Sequence, residues 1–150
     1  MLLRLLRKLL LRKEIVSQQG QVHFRRWGVE TKYFSVLLHN IRRSDEDKDP
    51  HDHPWPFFSF ILWGGYHEKL WQDGADNFYE DTFKPGRIIY RKTTDFHKLT
   101  LRKGPAWTFV LAGPRTHENW GYKTSTGWVD HVTYRKRKNA LQRDPRNRPN

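Results

Sequence analysis

Apolar and polar positions alternate at a period of two through most of this chain, the pattern of strands buried on one face. Runs rich in Val, Ile, Phe, Tyr and Trp predict strands over 22–27, 33–42, 57–63, 66–72, 78–83, 87–91, 97–102, 107–112 and 128–136. Turn residues separate them: Gly28, the polar run 44–50, Gly64-Gly65, Asp73-Gly74, Pro85-Gly86, the run 93–95, Lys103-Gly104-Pro105, Gly113-Pro114 and 124–127. Short strands recurring about every ten residues predict an all-β sandwich or barrel. The start departs from this pattern. At about 100° per residue, Leu2, Leu3, Leu5, Leu6, Leu9 and Leu10 share one side of a helix, with Arg4, Arg7, Lys8 and Arg12 on the other. Residues 1–19 therefore read as a basic amphipathic helix or arm, 20–138 as the β domain, and 139–150 as a flexible basic tail with little to bury.

Composition refines this outline. A chain of 150 residues suits one domain with a core. It has no cysteine, so any metal must be held by His, Asp or Glu, and a cytoplasmic location is the expectation. No stretch approaches the roughly 18 apolar residues of a membrane span, and the charged start lacks the small-residue cleavage site of a signal peptide. The net charge is +12, but it is concentrated at the ends. Residues 1–13 and 135–150 contribute +11 between them, which leaves 14–134 with 16 bases against 15 acids. The body is thus no nucleic-acid surface by charge, and any nucleic acid or anionic membrane would be met by the ends.

The run Asp49-Pro50-His51-Asp52-His53-Pro54-Trp55-Pro56 carries the chemistry. In an extended chain His51 and His53 point to one face, so two imidazoles stand side by side as a chelating pair. A third ligand must come from another strand. Of the eight histidines, His97 is the best placed, because it opens a strand after the turn, strand and turn of 85–95.

These residues resemble the two motifs of the cupins. In the first motif of that family, His51 and His53 take the paired histidine positions and Gly65 the closing glycine; the motif's glutamate falls on Phe58 and its opening glycine on Asp45. In the second, Gly86 and His97 fit, while Lys92, Thr94 and Leu101 replace the family's Pro, Gly and Asn. Residues 113–122, with Gly127-Trp128, resemble the segment after the barrel in some small cupins of bacteria and phages. The resemblance implies a jelly-roll antiparallel β-barrel around one divalent transition metal held by His51, His53 and His97. Imidazole ligands suit Fe, Zn, Ni or Cu, with Fe(II) the first expectation. Losing the glutamate leaves a site charge of about +2, which favours a small anionic ligand. The arrangement is similar to that of the three-histidine thiol dioxygenases, although nothing in the sequence points to a thiol.

Further candidates surround this set. Tyr66 and Glu68 share a strand face; Glu68 is placed to be a fourth ligand, a partner for a histidine N–H or a general base, and Tyr66 a donor to substrate. Arg115 and Tyr122 are candidates for substrate binding, with His117 and Trp120 beside them at the barrel mouth. The acidic run 45–49 reads as a solvated loop pairing with Arg42 and Arg43. Two functions are compatible with this set: a metal-dependent enzyme of oxygenase or dioxygenase type acting on a small anionic molecule, or a non-catalytic ligand-binding or structural module whose basic ends dock elsewhere. A homodimer is the analogy-based expectation for a cupin barrel.

Overall fold

The computed structural model describes residues 11–16 and 20–143. Eleven strands run in order: β1 (Leu11–Val16), β2 (Val22–Glu30), β3 (Ser35–Ile41), β4 (Phe57–Trp63), β5 (Tyr66–Trp71), β6 (Tyr79–Phe83), β7 (Ile88–Arg91), β8 (Phe96–Leu101), β9 (Ala106–Ala112), β10 (Gly121–Thr124) and β11 (Gly127–Asp130). One helix, α1 (His131–Arg143), comes after them. The strands form a six-stranded sheet in the order β1-β2-β3-β9-β4-β7, a three-stranded sheet β6-β5-β8 and the hairpin β10-β11. Every pairing among the named strands is antiparallel.

Period-two alternation sets the packing. On the large sheet Leu37 and Ile41 of β3, Ala106 and Val110 of β9, Ile61 of β4 and Ile89 of β7 are buried. Ile41, Ile61, Ala106 and Ile89 join Tyr66 of β5 and Phe83 of β6 in one core cluster, so the two sheets face each other as a sandwich. Residues offset by one, such as Phe58, Phe60, Ile88, Tyr90, Phe109 and Leu111, lie exposed on the outer face. Among the described residues no ladder joins the large sheet to the three-stranded one, so the jelly roll is open rather than a closed barrel. The turn at Gly64-Gly65 carries the chain from β4 of the large sheet to β5 of the small one. Both glycines have positive φ, 75° and 97°, and a Cβ on Gly65 would stand 2.1 Å from the Phe83 carbonyl oxygen. Only glycine allows this turn.

Three expectations change. Leu11–Val16 is not the end of a helix but an edge strand paired with β2, Glu14 opposite Arg25. A leucine-rich run with interspersed bases fits both periods, and the neighbouring edge of β2 decides between them; the remainder of the expected helix, 1–10, lies outside the described residues. The strand expected over 128–136 stops at Asp130, whose Oδ1 accepts the N–H groups of Val132 and Thr133 and so starts α1. The first residues of the expected tail, 139–143, continue that helix, and 144–150 lie outside the described residues. Among the described residues no helix is long and apolar enough to cross a membrane.

Candidate metal centre

The segment 51–53 is extended because prolines bracket it. Pro54 restricts His53, and Pro50 restricts Asp49, to β-like backbone. His51 and His97 exchange backbone hydrogen bonds, His51 N–H to His97 C=O at 3.0 Å and His97 N–H to His51 C=O at 2.8 Å. Asp52 points the other way. Its carboxylate accepts the Gly121 N–H at 2.6 Å and the Trp128 indole N–H at 2.8 Å, which ties the segment to the β10-β11 hairpin. With Asp52 anchored outward, His51 and His53 turn inward toward His97.

The three rings converge. Ring centroids are 5.1 Å apart for His51–His53, 4.7 Å for His51–His97 and 4.9 Å for His53–His97. One nitrogen from each lies within 4.8 Å of the others, and among the described residues this is the only cluster of three such side chains that could hold a metal ion. His53 Nε2 is 2.8 Å from His97 Nε2. The cluster lines a cleft of about 580 Å³ that is also lined by Tyr66, Tyr122, Trp120 and, from α1, Arg135 and Lys138.

Two carboxylates, Glu68 buried and Asp45 half-buried, stand behind the imidazoles. Glu68, 2% exposed, accepts the His97 Nδ1–H at 2.6 Å, which leaves the His97 Nε2 lone pair facing inward. Its other oxygen takes the Arg91 guanidinium, which bonds both carboxylate oxygens. Burial opposes the Glu68 charge, but the His97 and Arg91 bonds outweigh it and hold the carboxyl below its ordinary value. Asp45 stands 3.8 Å from His51 Nδ1 and from His23 Nε2, and accepts the Leu99 N–H at 2.7 Å. Burial alone would raise its carboxyl; His51, His23 and the Leu99 N–H together bring it down to about 2. Burial pushes His51 down to about 4 and, helped by the neighbouring His97, His51 and His39, lowers His53 well below 6.5. Both rings are therefore neutral at physiological pH, the state a metal ligand needs. Three convergent imidazole nitrogens form a donor set suited to a first-row transition ion.

The other candidates separate. Tyr66 lines the cleft, with its hydroxyl pushed above the usual phenol range by burial and by Glu68. Tyr122 lines it too and donates to Asp47 at 2.8 Å; burial and that bond raise its phenol. Glu68 has both oxygens committed. Arg115 is not brought to the site: it is exposed, donates to the Glu118 carbonyl and stacks on Trp55 5.0 Å away. Trp120 packs face to face on His131, with centroids 4.6 Å apart, at the cleft mouth.

The acidic run is structural rather than a solvated loop. Asp45 anchors β8, Asp47 takes Tyr122 and Lys138, and Asp49 takes Tyr134. Lys138 and Arg135 of the basic C-terminal run are thereby used inside the fold, Arg135 over the Trp120 ring. Sequence reasoning missed Asp45, Arg91 and Phe57. The Phe57 ring lies 5.0 Å from His53 and 6.3 Å from His97, whereas Phe58 packs on Tyr90 on the outer face. With the shorter motif spacing, the position of the missing glutamate falls on Phe57, and inward alternation along β4 was the signal for it.

No family model and no curated protein matches the sequence. Solved structures do. The chain is similar to Fe(II)-HppE with the alternative substrate (S)-1-HPP, at 15% identity and a TM-score of 0.55 over 69% of this chain and 55% of that one. It is similar to KdgF from Halomonas sp. at 14% identity and a TM-score of 0.53, over 69% and 87% of the two chains. It is also similar to a deletion mutant of the Bacillus subtilis oxalate decarboxylase OxdC, at 8% identity and a TM-score of 0.56, over 74% of this chain and 29% of that one. The match thus spans little more than half of HppE and under a third of OxdC. At these identities the likeness establishes architecture, and with the open jelly roll and its inward histidines it identifies this chain as a protein of the cupin fold.

Proposed function

We propose that this protein is a metal-dependent enzyme in which His51, His53 and His97 hold one divalent transition ion, Fe(II) first among the candidates, and that it acts on a small anionic molecule by oxygenase-type or dioxygenase-type chemistry. The observation that carries the reading is the convergence of three imidazoles on a cleft of about 580 Å³. Fe(II) in a solved structure of similar fold supports the choice of ion.

A bound ion of this kind supplies a Lewis acid and, if iron, a redox centre. The remaining roles belong to the chain. Glu68 fixes the tautomer and ring orientation of His97 and is itself held by Arg91. Asp45, 3.8 Å from His51 Nδ1, acts on that ring through its charge rather than through a hydrogen bond. Phe57 in place of a carboxylate ligand leaves the ion more positive and coordination positions open, which draws an anion. Tyr66 and Tyr122, kept protonated by their raised phenols, place neutral hydroxyls at the cleft wall, that of Tyr122 already given to Asp47. A cleft at the histidines also runs against the purely structural reading, which expects the interior to be filled there. Self-association through the exposed outer sheet face belongs to the same proposal; light scattering should give the dimer mass, and a monomer would remove it.

The test is oxygen consumption by Fe(II)-loaded protein with a panel of small carboxylates and thiol carboxylates. Substrate loss should match oxygen use for at least one compound and disappear in His97→Ala. Compounds that bind without any turnover, aerobic or anaerobic, would leave a ligand-binding module instead.

A further inference from the structure

The same cleft has a second polar feature beside the histidine cluster. Arg26 of β2 lies directly opposite His39 of β3, and His39 directly opposite Thr108 of β9. Side chains so paired stand abreast on one sheet face. The rows on either side are apolar or lack a side chain: Gly28, Leu37 and Val110 on one, Phe24, Ile41 and Ala106 on the other. A polar row is therefore set into an apolar wall, and all three of its members line the same cleft as His51, His53 and His97.

The fold leaves two nitrogens of this row unused. Arg26 Nε and His39 Nε2 are both buried, and neither has a hydrogen-bond partner among the described residues. The Arg26 Nη2 is held by Glu30 at 2.6 Å, toward the exposed end of β2. The His39 ring meets the Phe24 ring edge to face, 4.6 Å away. Buried donors are nearly always paired, so two neighbouring ones left without acceptors ask for a partner from outside the chain. A guanidinium beside an imidazole N–H, with a hydroxyl next in line, suits an oxyanion.

Building on the metal reading above, we propose that Arg26 and His39, with Thr108 beside them, form an oxyanion subsite, so that the ligand of this cleft is a small molecule with an anionic oxygen group at each end. One group meets the ion held by the three histidines and the other meets the Arg26–His39 row. Carboxylate and phosphonate share this chemistry. Burial and the Arg26 charge push His39 down to about 3, so it acts as a neutral donor across the physiological range.

Titration calorimetry on the Zn-loaded full chain tests this with three probes: butyrate, glutarate and 4-phosphonobutyrate. Both double-headed anions should bind at least about tenfold more tightly than butyrate, the worth of one charge-assisted hydrogen bond. Whichever of the two shows the larger gain identifies the second group. Arg26→Gln and His39→Phe should remove the gain while leaving butyrate affinity and zinc content unchanged, and His39→Gln, which keeps a donor, should retain part of it. Should Arg26→Gln fail to fold, the His39 pair carries the test alone. Equal affinity for all three probes in the zinc-loaded wild type, or a gain that survives His39→Phe, would overturn the subsite and leave the metal reading standing. A wild type that takes up no zinc would remove the metal reading first.

Discussion

Replacing Glu68 with Gln probes how the site is held. The side chain is 2% exposed, and its oxygens receive His97 Nδ1–H and the Arg91 guanidinium, which is itself mostly buried. An amide offers one acceptor oxygen where the carboxylate offers two, and it leaves the Arg91 charge without a counter-ion. Breaking a buried ion pair from one side costs about 3–5 kcal/mol. For a chain of this size each kcal/mol moves the melting point by about 2–4 °C, so metal-stripped Glu68→Gln should melt about 6–20 °C below wild type. Metal affinity should fall separately, by about 10–100-fold, because His97 loses the partner that fixes its tautomer. Calorimetric melts in chelator and competition titrations with a metal dye read the two effects. The double variant Glu68→Leu with Arg91→Met separates them: stability should largely return, since no charge is left buried alone, while metal affinity should stay low. A Glu68→Gln protein that melts with wild type and binds metal equally well would refute the account of this carboxylate.

Other perturbations draw on the same geometry. Asp45→Asn should weaken metal binding about tenfold through His51, with a smaller loss of stability than Glu68→Gln, because the amide oxygen still accepts the Leu99 N–H; unchanged affinity in a dye competition would count against the role given to Asp45. Acid should destabilise the metal-free protein early. His39 and His51 are held down at about 3 and about 4, so the unfolded chain binds more protons as soon as pH falls below 6.5, and stability drops from there through those values. Glu68, lowered from 4.5, adds a further loss below that pH. Urea midpoints across this range should fall steadily, and His39→Phe should flatten the upper part of the slope; a flat profile down to the carboxylate range would contradict the buried neutral histidines. Gly65→Ala should cost at least about 2 kcal/mol, since φ is 97° and the new Cβ meets the Phe83 carbonyl; an unchanged urea midpoint would mean that the turn is not held as described.

Local patterning made the histidine cluster legible. Extended chain around His51 and His53 and the turn at Gly86 before His97 are short-range features, and alternation marked β2 to β9 because each strand buries one face. The features that escaped the sequence depend on partners far along the chain. Asp45 looked like part of a charged loop, yet its partners are His23, His51 and Leu99. Arg91 ended a strand without any local sign that Glu68 would claim it. The residue facing the histidines is Phe57 rather than Phe58, a shift of one position that reverses the face a strand residue occupies. At Leu11–Val16 and His131–Arg143 the apolar pattern was short enough to fit either period, and a strand edge in one case and the Asp130 cap in the other decided the outcome.

The central claim, that His51, His53 and His97 together hold a metal ion, is tested most directly by elemental analysis of purified wild type beside His51→Ala, His53→Ala and His97→Ala. The account predicts about one transition metal per chain in wild type, before or after reconstitution with Fe(II), and its loss in each folded variant. A folded wild type that takes up none of Fe(II), Zn, Ni or Cu, or variants that retain the metal in full, would contradict it.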